Sequence, residues 1–136
     1  MDELNKASEI AISGMKAQSE RLRVVSENLA NADSLPTTAD ATPYQRKVIT
    51  FRNVLDKAAG ADLVKVDKIG VDRSEFKKIY DPKHPAADSN GYVLAPNVNP
   101  LVELMDMREA QRSYEANLNV VSVSKSMLSH TVDLLK

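Results

Sequence analysis

Cysteine and tryptophan are absent from this 136-residue chain, and aromatic residues make up only 4% of it. Without cysteine there is no disulfide staple and no thiolate zinc site. Without bulky aromatics a core must come from Leu, Val, Ile, Met and Ala, side chains that suit interdigitating helices. An excess of one charge is missing too: 18 Lys and Arg face 19 Asp and Glu, a net charge of −1. A nucleic-acid binder of this size needs a basic surplus to neutralise phosphates, so the balance argues against that class. Long apolar runs are lacking as well, and none approaches the roughly 20 residues of a membrane span. The stretch from Met1 to Ser13 is acidic and polar, without a basic head and a continuous apolar stretch, so it does not read as a cleavable secretory signal.

Proline is missing from both ends. Pro36, Pro43, Pro82, Pro85, Pro96 and Pro100 all fall between positions 36 and 100, and proline breaks helix interiors. Three segments follow: an N-terminal helix over 1–33, an irregular middle with short β-strands and loops over 34–99, and a C-terminal helix over 100–136. The fold class is expected to be mainly α, the two long helices pairing as an antiparallel, coiled-coil-like hairpin.

What is present at the ends is periodicity. Leu4, Ser8, Ala11, Met15, Gln18, Leu22, Val25, Leu29 and Ala32 step by four and three, and all but Ser8 and Gln18 are apolar, the mark of a heptad-like seam. Leu104, Met107, Gln111, Tyr114, Leu118, Val121, Lys125, Leu128, Val132 and Leu135 repeat the pattern, interrupted by Gln111 and Lys125. The intra-hairpin seam is therefore assigned to Leu4, Met15, Leu22, Val25 and Leu29 on the first helix. On the second it is assigned to Leu104, Met107, Tyr114, Leu118, Val121, Leu128, Val132 and Leu135. Asn99 suits an N-cap, Pro100 the first helical position, and Glu103 the positive end of the helix dipole.

A second apolar row lies beside each seam. Ala116, Val120, Val123, Met127, His130 and Leu134 form it on the C-terminal helix, and Ile10, Ala17 and Val24 form a weaker one on the N-terminal helix. One partner helix cannot cover both rows. The middle segment is charged, +2 against −2 and −1 for the ends, so neighbouring subunits are the expected cover. A subunit interface is accordingly assigned to Ile10, Val24, Asn28 and Asn31, and to Ala116, Asn117, Val120, Val123, Met127, His130 and Leu134. An isolated hairpin of this kind is marginal, and the ends are expected to order on assembly.

Candidate chemistry is sparse. His84 sits between prolines and His130 on an apolar row; neither has a serine and an acid, or a second histidine, at a useful spacing. Asp81 and Asp88 are seven loop residues apart with no pocket signal. Asn28, Asn31 and Asn117 read either as helix caps or as amides that fix register between subunits, because an unpaired buried amide costs about 1–3 kcal/mol. Gly14 reads either as a tolerated glycine or as a point of close helix approach.

Motifs complete the reading. Ile12-Ser13-Gly14-Met15-Lys16-Ala17-Gln18, Arg21-Leu22 and Ser26-Glu27-Asn28-Leu29-Ala30-Asn31-Ala32-Asp33-Ser34 resemble the N-terminal signature of the flagellar rod, hook and hook-associated axial proteins. Tyr80-Asp81-Pro82-Lys83-His84-Pro85-Ala86-Ala87-Asp88, Gly91-Tyr92-Val93 and Pro96-Asn97-Val98-Asn99 are similar to proximal-rod members of that family, as are Arg112-Ser113-Tyr114-Glu115-Ala116-Asn117 and Lys125-Ser126-Met127. Leu35 to Thr42 matches no family motif, and 56–75 says little about register.

The resemblance implies a structural, non-enzymatic subunit of the proximal rod, the periplasmic drive shaft of the basal body, polymerising through its terminal helices. It implies transit through the flagellar type III export apparatus without leader cleavage. The implied partners are the rod proteins FlgB, FlgF and FlgG, the ring-to-rod adaptor FliE and further copies of the chain, with no cofactor, no metal, no nucleic acid and no membrane span. The competing expectation is a soluble helical adaptor or secretion chaperone, which shares the amphipathic helices but stays in the cell.

Overall fold

The computed structural model describes residues 2–136. Two long helices bracket a strand-rich middle: α1 (Asp2–Ala30), β1 (Lys47–Asp56), β2 (Ala61–Val71), β3 (Lys77–Tyr80), β4 (Tyr92–Ala95) and α2 (Pro100–Leu134). Helix accounts for 47% of the chain and strand for 21%. The class is therefore mixed α and β rather than mainly α, because β1 and β2 run ten and eleven residues, longer than the short strands expected.

Local chemistry sets the boundaries. Asp2 and Glu3 occupy the first turn of α1, where the helix dipole favours negative charge. At its exit the Glu27 carbonyl accepts hydrogen bonds from the Asn31 backbone N–H at 3.2 Å and from Asn31 Nδ2 at 2.9 Å. The Ser34 hydroxyl donates to the Asn31 carbonyl at 2.9 Å, so carbonyls orphaned by the helix end find partners. At the start of α2, Asn99 Oδ1 accepts from the Leu101 N–H at 3.1 Å, and the Asn99 carbonyl accepts from the Glu103 N–H at 3.1 Å. Asn99 is thus the N-cap and Pro100 the first helical residue, where its missing N–H costs nothing.

β1 and β2 form a two-stranded sheet, as do β3 and β4. The turn between β1 and β2 is built by Asp56, whose carboxylate accepts from the N–H groups of Ala58 at 2.9 Å and Ala59 at 3.2 Å. Gly60 closes it at φ +68°, a conformation glycine adopts without strain. β3 and β4 are antiparallel, pairing Lys77 with Ala95, Lys78 with Leu94, Ile79 with Val93 and Tyr80 with Tyr92. Their connection is organised by Asp88, whose carboxylate accepts from the N–H groups of Asn90 at 2.9 Å and Tyr92 at 3.0 Å. Gly91 follows at φ +85°, where an added Cβ would lie 2.9 Å from the Tyr80 ring and 3.1 Å from Pro82.

The chain gathers into two compact units, each drawing on both ends and the middle. One contains the N-terminal residues through Leu22, Ile49–Lys68 and Arg108–Lys136. Its buried side chains among the described residues are small: Ala11, Ala17, Ala110 and Ser124. Here Gly14 lies against Asn117, and a Cβ at Gly14 would stand 2.7 Å from Asn117 Nδ2. Arg21 meets Glu109 at 3.4 Å. The Ser13 hydroxyl accepts from the Val64 N–H at 3.1 Å, tying α1 to β2 beside an open cleft of about 560 Å³ lined by Ile12, Ala17, Leu63, Val64 and Val66.

The other unit comprises Arg23–Val48 and Ile69–Met107. Its interior holds Val24, Val25, Ala32, Ala86, Val93, Ala95 and Val98 together with two polar residues, Asn28 and Glu103.

Candidate functional site

The most distinctive arrangement in the molecule is a polar cluster inside this second unit. Asn28, at 1% exposure, uses its full hydrogen-bonding capacity. Its Nδ2 donates to the Lys47 carbonyl at 2.9 Å and to Glu103 Oε2 at 3.2 Å; its Oδ1 accepts from the Lys47 N–H at 2.9 Å and the Tyr44 hydroxyl at 2.7 Å. The amide thereby treats Lys47 as a neighbouring strand would, taking both backbone groups at the start of β1.

Glu103, with 0% exposure, faces Asn28 with one oxygen and Arg46 Nε with the other. The Arg46 guanidinium also reaches Asp72 and Asp106, each at 3.5 Å. Asn97 performs a similar service one step along: its Oδ1 accepts from the Arg46 N–H at 2.7 Å, and its Nδ2 donates to the Asp72 carbonyl at 2.9 Å. The Asp72 N–H donates to the Arg46 carbonyl at 2.8 Å, so the Asn97 amide is inserted where two strand backbones would otherwise bond. Lys47 Nζ and Glu27 Oε1 add a half-exposed ion pair at 2.6 Å.

The electrostatics follow from these contacts. Burial opposes the charge on Arg46, but the hydrogen bond and charge of Glu103, with Asp72 and Asp106, outweigh it and raise its pKa. Hydrogen bonds from the Ser74 backbone and hydroxyl, then Arg46, hold the Asp72 carboxyl below its ordinary value. Burial, then the charges of Glu27 and Glu103, push the Tyr44 phenol up. The cluster's hydrogen bonds and ion pairs run between its own elements, so its work is to hold the end of α1, the start of β1 and the start of α2 in one arrangement.

The residues read from the sequence as interface and seam distribute unevenly. Val24 and Asn28 are buried within the second unit and so face its interior rather than a neighbour, whereas Asn31 is half-buried and caps the end of α1. In the first unit Ile10, Ala116, Val120, Val123, Met127, His130 and Leu134 are exposed, while Asn117 is half-buried over Gly14. Of the expected seam, Val25 is buried; Leu4, Met15, Leu22, Leu29, Met107, Tyr114, Val121 and Leu128 are half-buried. Leu104, Leu118, Val132 and Leu135 are exposed. Buried on α2 are Glu103, Ala110 and Ser124, with Asn117 half-buried, at seven-residue spacing and one position before Leu104, Gln111, Leu118 and Lys125. Small side chains let helices approach closely, so Ala110 and Ser124 lie deeper than the larger residues that follow them.

His84 Nδ1 accepts from the Ala86 N–H at 3.0 Å, and Asp88 is committed to its turn. Among the described residues no group of His, Asp and Glu is placed to hold a metal ion, and no helix is long and apolar enough to cross a membrane. Sequence reasoning missed Glu103 and Arg46 as a pair. The signal available was an acidic residue at a position of the α2 heptad otherwise filled by Ala110 and Ser124.

Known proteins align with both halves of this cluster. Residues 9–34 match the family described as flagella basal body rod protein, and residues 89–134 match the C-terminal family of the flagellar basal body rod FlgEFG proteins. Asn28 falls in the first match; Asn97 and Glu103 fall in the second. The chain is 55% identical over 136 residues to the flagellar basal-body rod protein FlgC of Agrobacterium fabrum, covering 100% of this chain and 98% of that protein. It is 42% identical over 128 residues to FlgC of Salmonella typhimurium, 93% of each chain. To FlgC of Aquifex aeolicus it is 40% identical over 137 residues, 100% of each. With identity of this order sustained from end to end, the chain belongs to the FlgC family of flagellar basal-body rod proteins.

Proposed function

We propose that the chain is a structural subunit of the proximal rod, built into the periplasmic shaft of the flagellar basal body and carrying torque without any catalytic step. Family membership supports the rod assignment. The observation that carries the mode of assembly is the row of large apolar side chains left uncovered on α2 in the first unit: Val120, Val123, Met127 and Leu134 are 43%, 57%, 52% and 86% exposed. Contiguous apolar surface on this scale marks contact with other protein. Stiffness under torque requires many such contacts shared between subunits, and head-to-tail packing extends them along a shaft.

In this reading residues 1–33 and 100–136 form the helical rod core and 34–99 the segment between. Gly14 against Asn117 and Arg21 against Glu109 support antiparallel pairing of the two helices. FlgB, FlgF, FlgG, FliE and other copies of the chain are the neighbours, reached after export through the type III apparatus without leader cleavage.

The test is Val123→Glu. Val123 is exposed, so the variant matches dilute wild-type chain by circular dichroism. The expected outcome is a chain missing from purified basal bodies and cells that do not swim. Normal incorporation and motility would refute this face as a contact surface. A chain that stays in the cytosol even as wild type would refute the rod assignment itself.

A further inference from the structure

We infer that Glu103 is a latch: the second unit stays open until the beginning of α2 docks, so the stretch from Arg23 to Val48 is set only when residues 97–106 arrive. The geometry points one way in sequence. Arg46 has Glu103, Asp72 and Asp106 as carboxylate partners, all C-terminal to it, and its backbone N–H is bound by Asn97. Asn28 keeps Lys47 and Tyr44 as nearby partners, yet its second N–H is satisfied by Glu103, 75 positions on.

The dependence is mutual. Glu103 is fully buried, and a carboxylate taken out of water without a cation and hydrogen bonds is costly, so α2 cannot seat its first turn unless Arg46 and Asn28 are in place. Apolar burial gives 23–48 little independent support, since its buried apolar side chains are Val24, Val25, Ala32 and Pro43. Val93, Ala95 and Val98 join only from the C-terminal side. Neither half closes by itself, and the charge pairing makes closure a single event. A chain delivered from its N-terminus, as from a ribosome, therefore remains open in this region until more than 100 residues are available.

The latch does not depend on the rod reading. Its use, keeping a subunit open for threading before assembly, does rest on that reading, and basal-body fractions and amide protection report the two separately.

Residue-resolved hydrogen exchange on the full chain tests the latch. In Glu103→Ala the amides of Arg46, Lys47 and Asp72 are expected to lose protection together, by about a hundredfold or more. Helical amides between Tyr114 and Leu128 exchange as they do in wild type, and so does the whole chain in Glu109→Ala, which removes an exposed partner of Arg21. Wild-type protection at Arg46 and Lys47 in Glu103→Ala overturns the inference. Should that variant unfold throughout, pulse labelling of refolding wild-type chain decides. The Lys47 amide must become protected in the same phase as the amides of residues 103–106, and protection of Lys47 in an earlier phase overturns the latch.

Discussion

Asn28 makes four hydrogen bonds with four available sites, which leaves no neutral substitution. Asn28→Asp preserves shape but replaces two donors with acceptors facing the Lys47 carbonyl and the Glu103 carboxylate. The expected loss is about 3 kcal/mol or more, read from urea unfolding, because a second charge is buried against the first. Asn31→Ala serves as the contrast. The Glu27 carbonyl keeps its backbone donor and the site is half-exposed, so a loss of roughly 0.5–1.5 kcal/mol is expected. Gly91→Ala belongs at the same scale. At φ +85° an L side chain costs about 1–2 kcal/mol before the collision with Tyr80 and Pro82 is counted. The turn joining β3 to β4 should open, seen as loss of the Asp81 amide's protection, since that N–H donates to the Gly91 carbonyl at 2.9 Å.

Elements were legible in the sequence to different depths for physical reasons. The helices announced themselves through period and proline-free length, and the start of α2 through Asn99 and Pro100, because caps are local chemistry. The strands β1 and β2 were only half-readable: much of their length is exposed, so apolar alternation is weak, and backbone pairing rather than side-chain burial holds them. On α2 Ala110 lies deeper than Leu118 although leucine is the greasier residue, because close approach at Gly14 rewards small side chains, and period alone does not report that. A buried charge pair 57 positions apart leaves no trace in periodicity. Hydrogen bonds from Ser74, and then Arg46, do have an observable consequence at Asp72, just past the end of β2. Asp72 has a depressed folded pKa, so the stability it supplies is complete above the ordinary carboxylate range and is lost as pH falls through the depressed value. The urea midpoint should therefore drop as pH falls through and below the ordinary carboxylate range, and drop less in Asp72→Asn. Equal drops in both would assign the acid sensitivity elsewhere.

At the scale of the whole molecule the two units differ in self-sufficiency. The second has a valine-lined interior and a polar cluster bonded within it. Among the described residues the first buries only Ala11, Ala17, Ala110 and Ser124, while Leu118, Val120, Val123, Met127, Val132, Leu134 and Leu135 remain exposed along α2. Small buried side chains return little free energy at roughly 25 cal/mol per Å², against about 1–2 kcal/mol of backbone entropy for each residue ordered. The first unit is then the part that needs company, and its helices should gain order as chains associate. Helix content by circular dichroism is expected to rise with protein concentration, in step with the mass measured by sedimentation. Val123→Glu combined with Met127→Glu should abolish both rises while leaving the second unit's amide protection intact. A dilute wild-type chain with complete helix content and one sharp melting transition would mean that the first unit stands without neighbours, and the exposed row on α2 would lose its claim to be what draws subunits together.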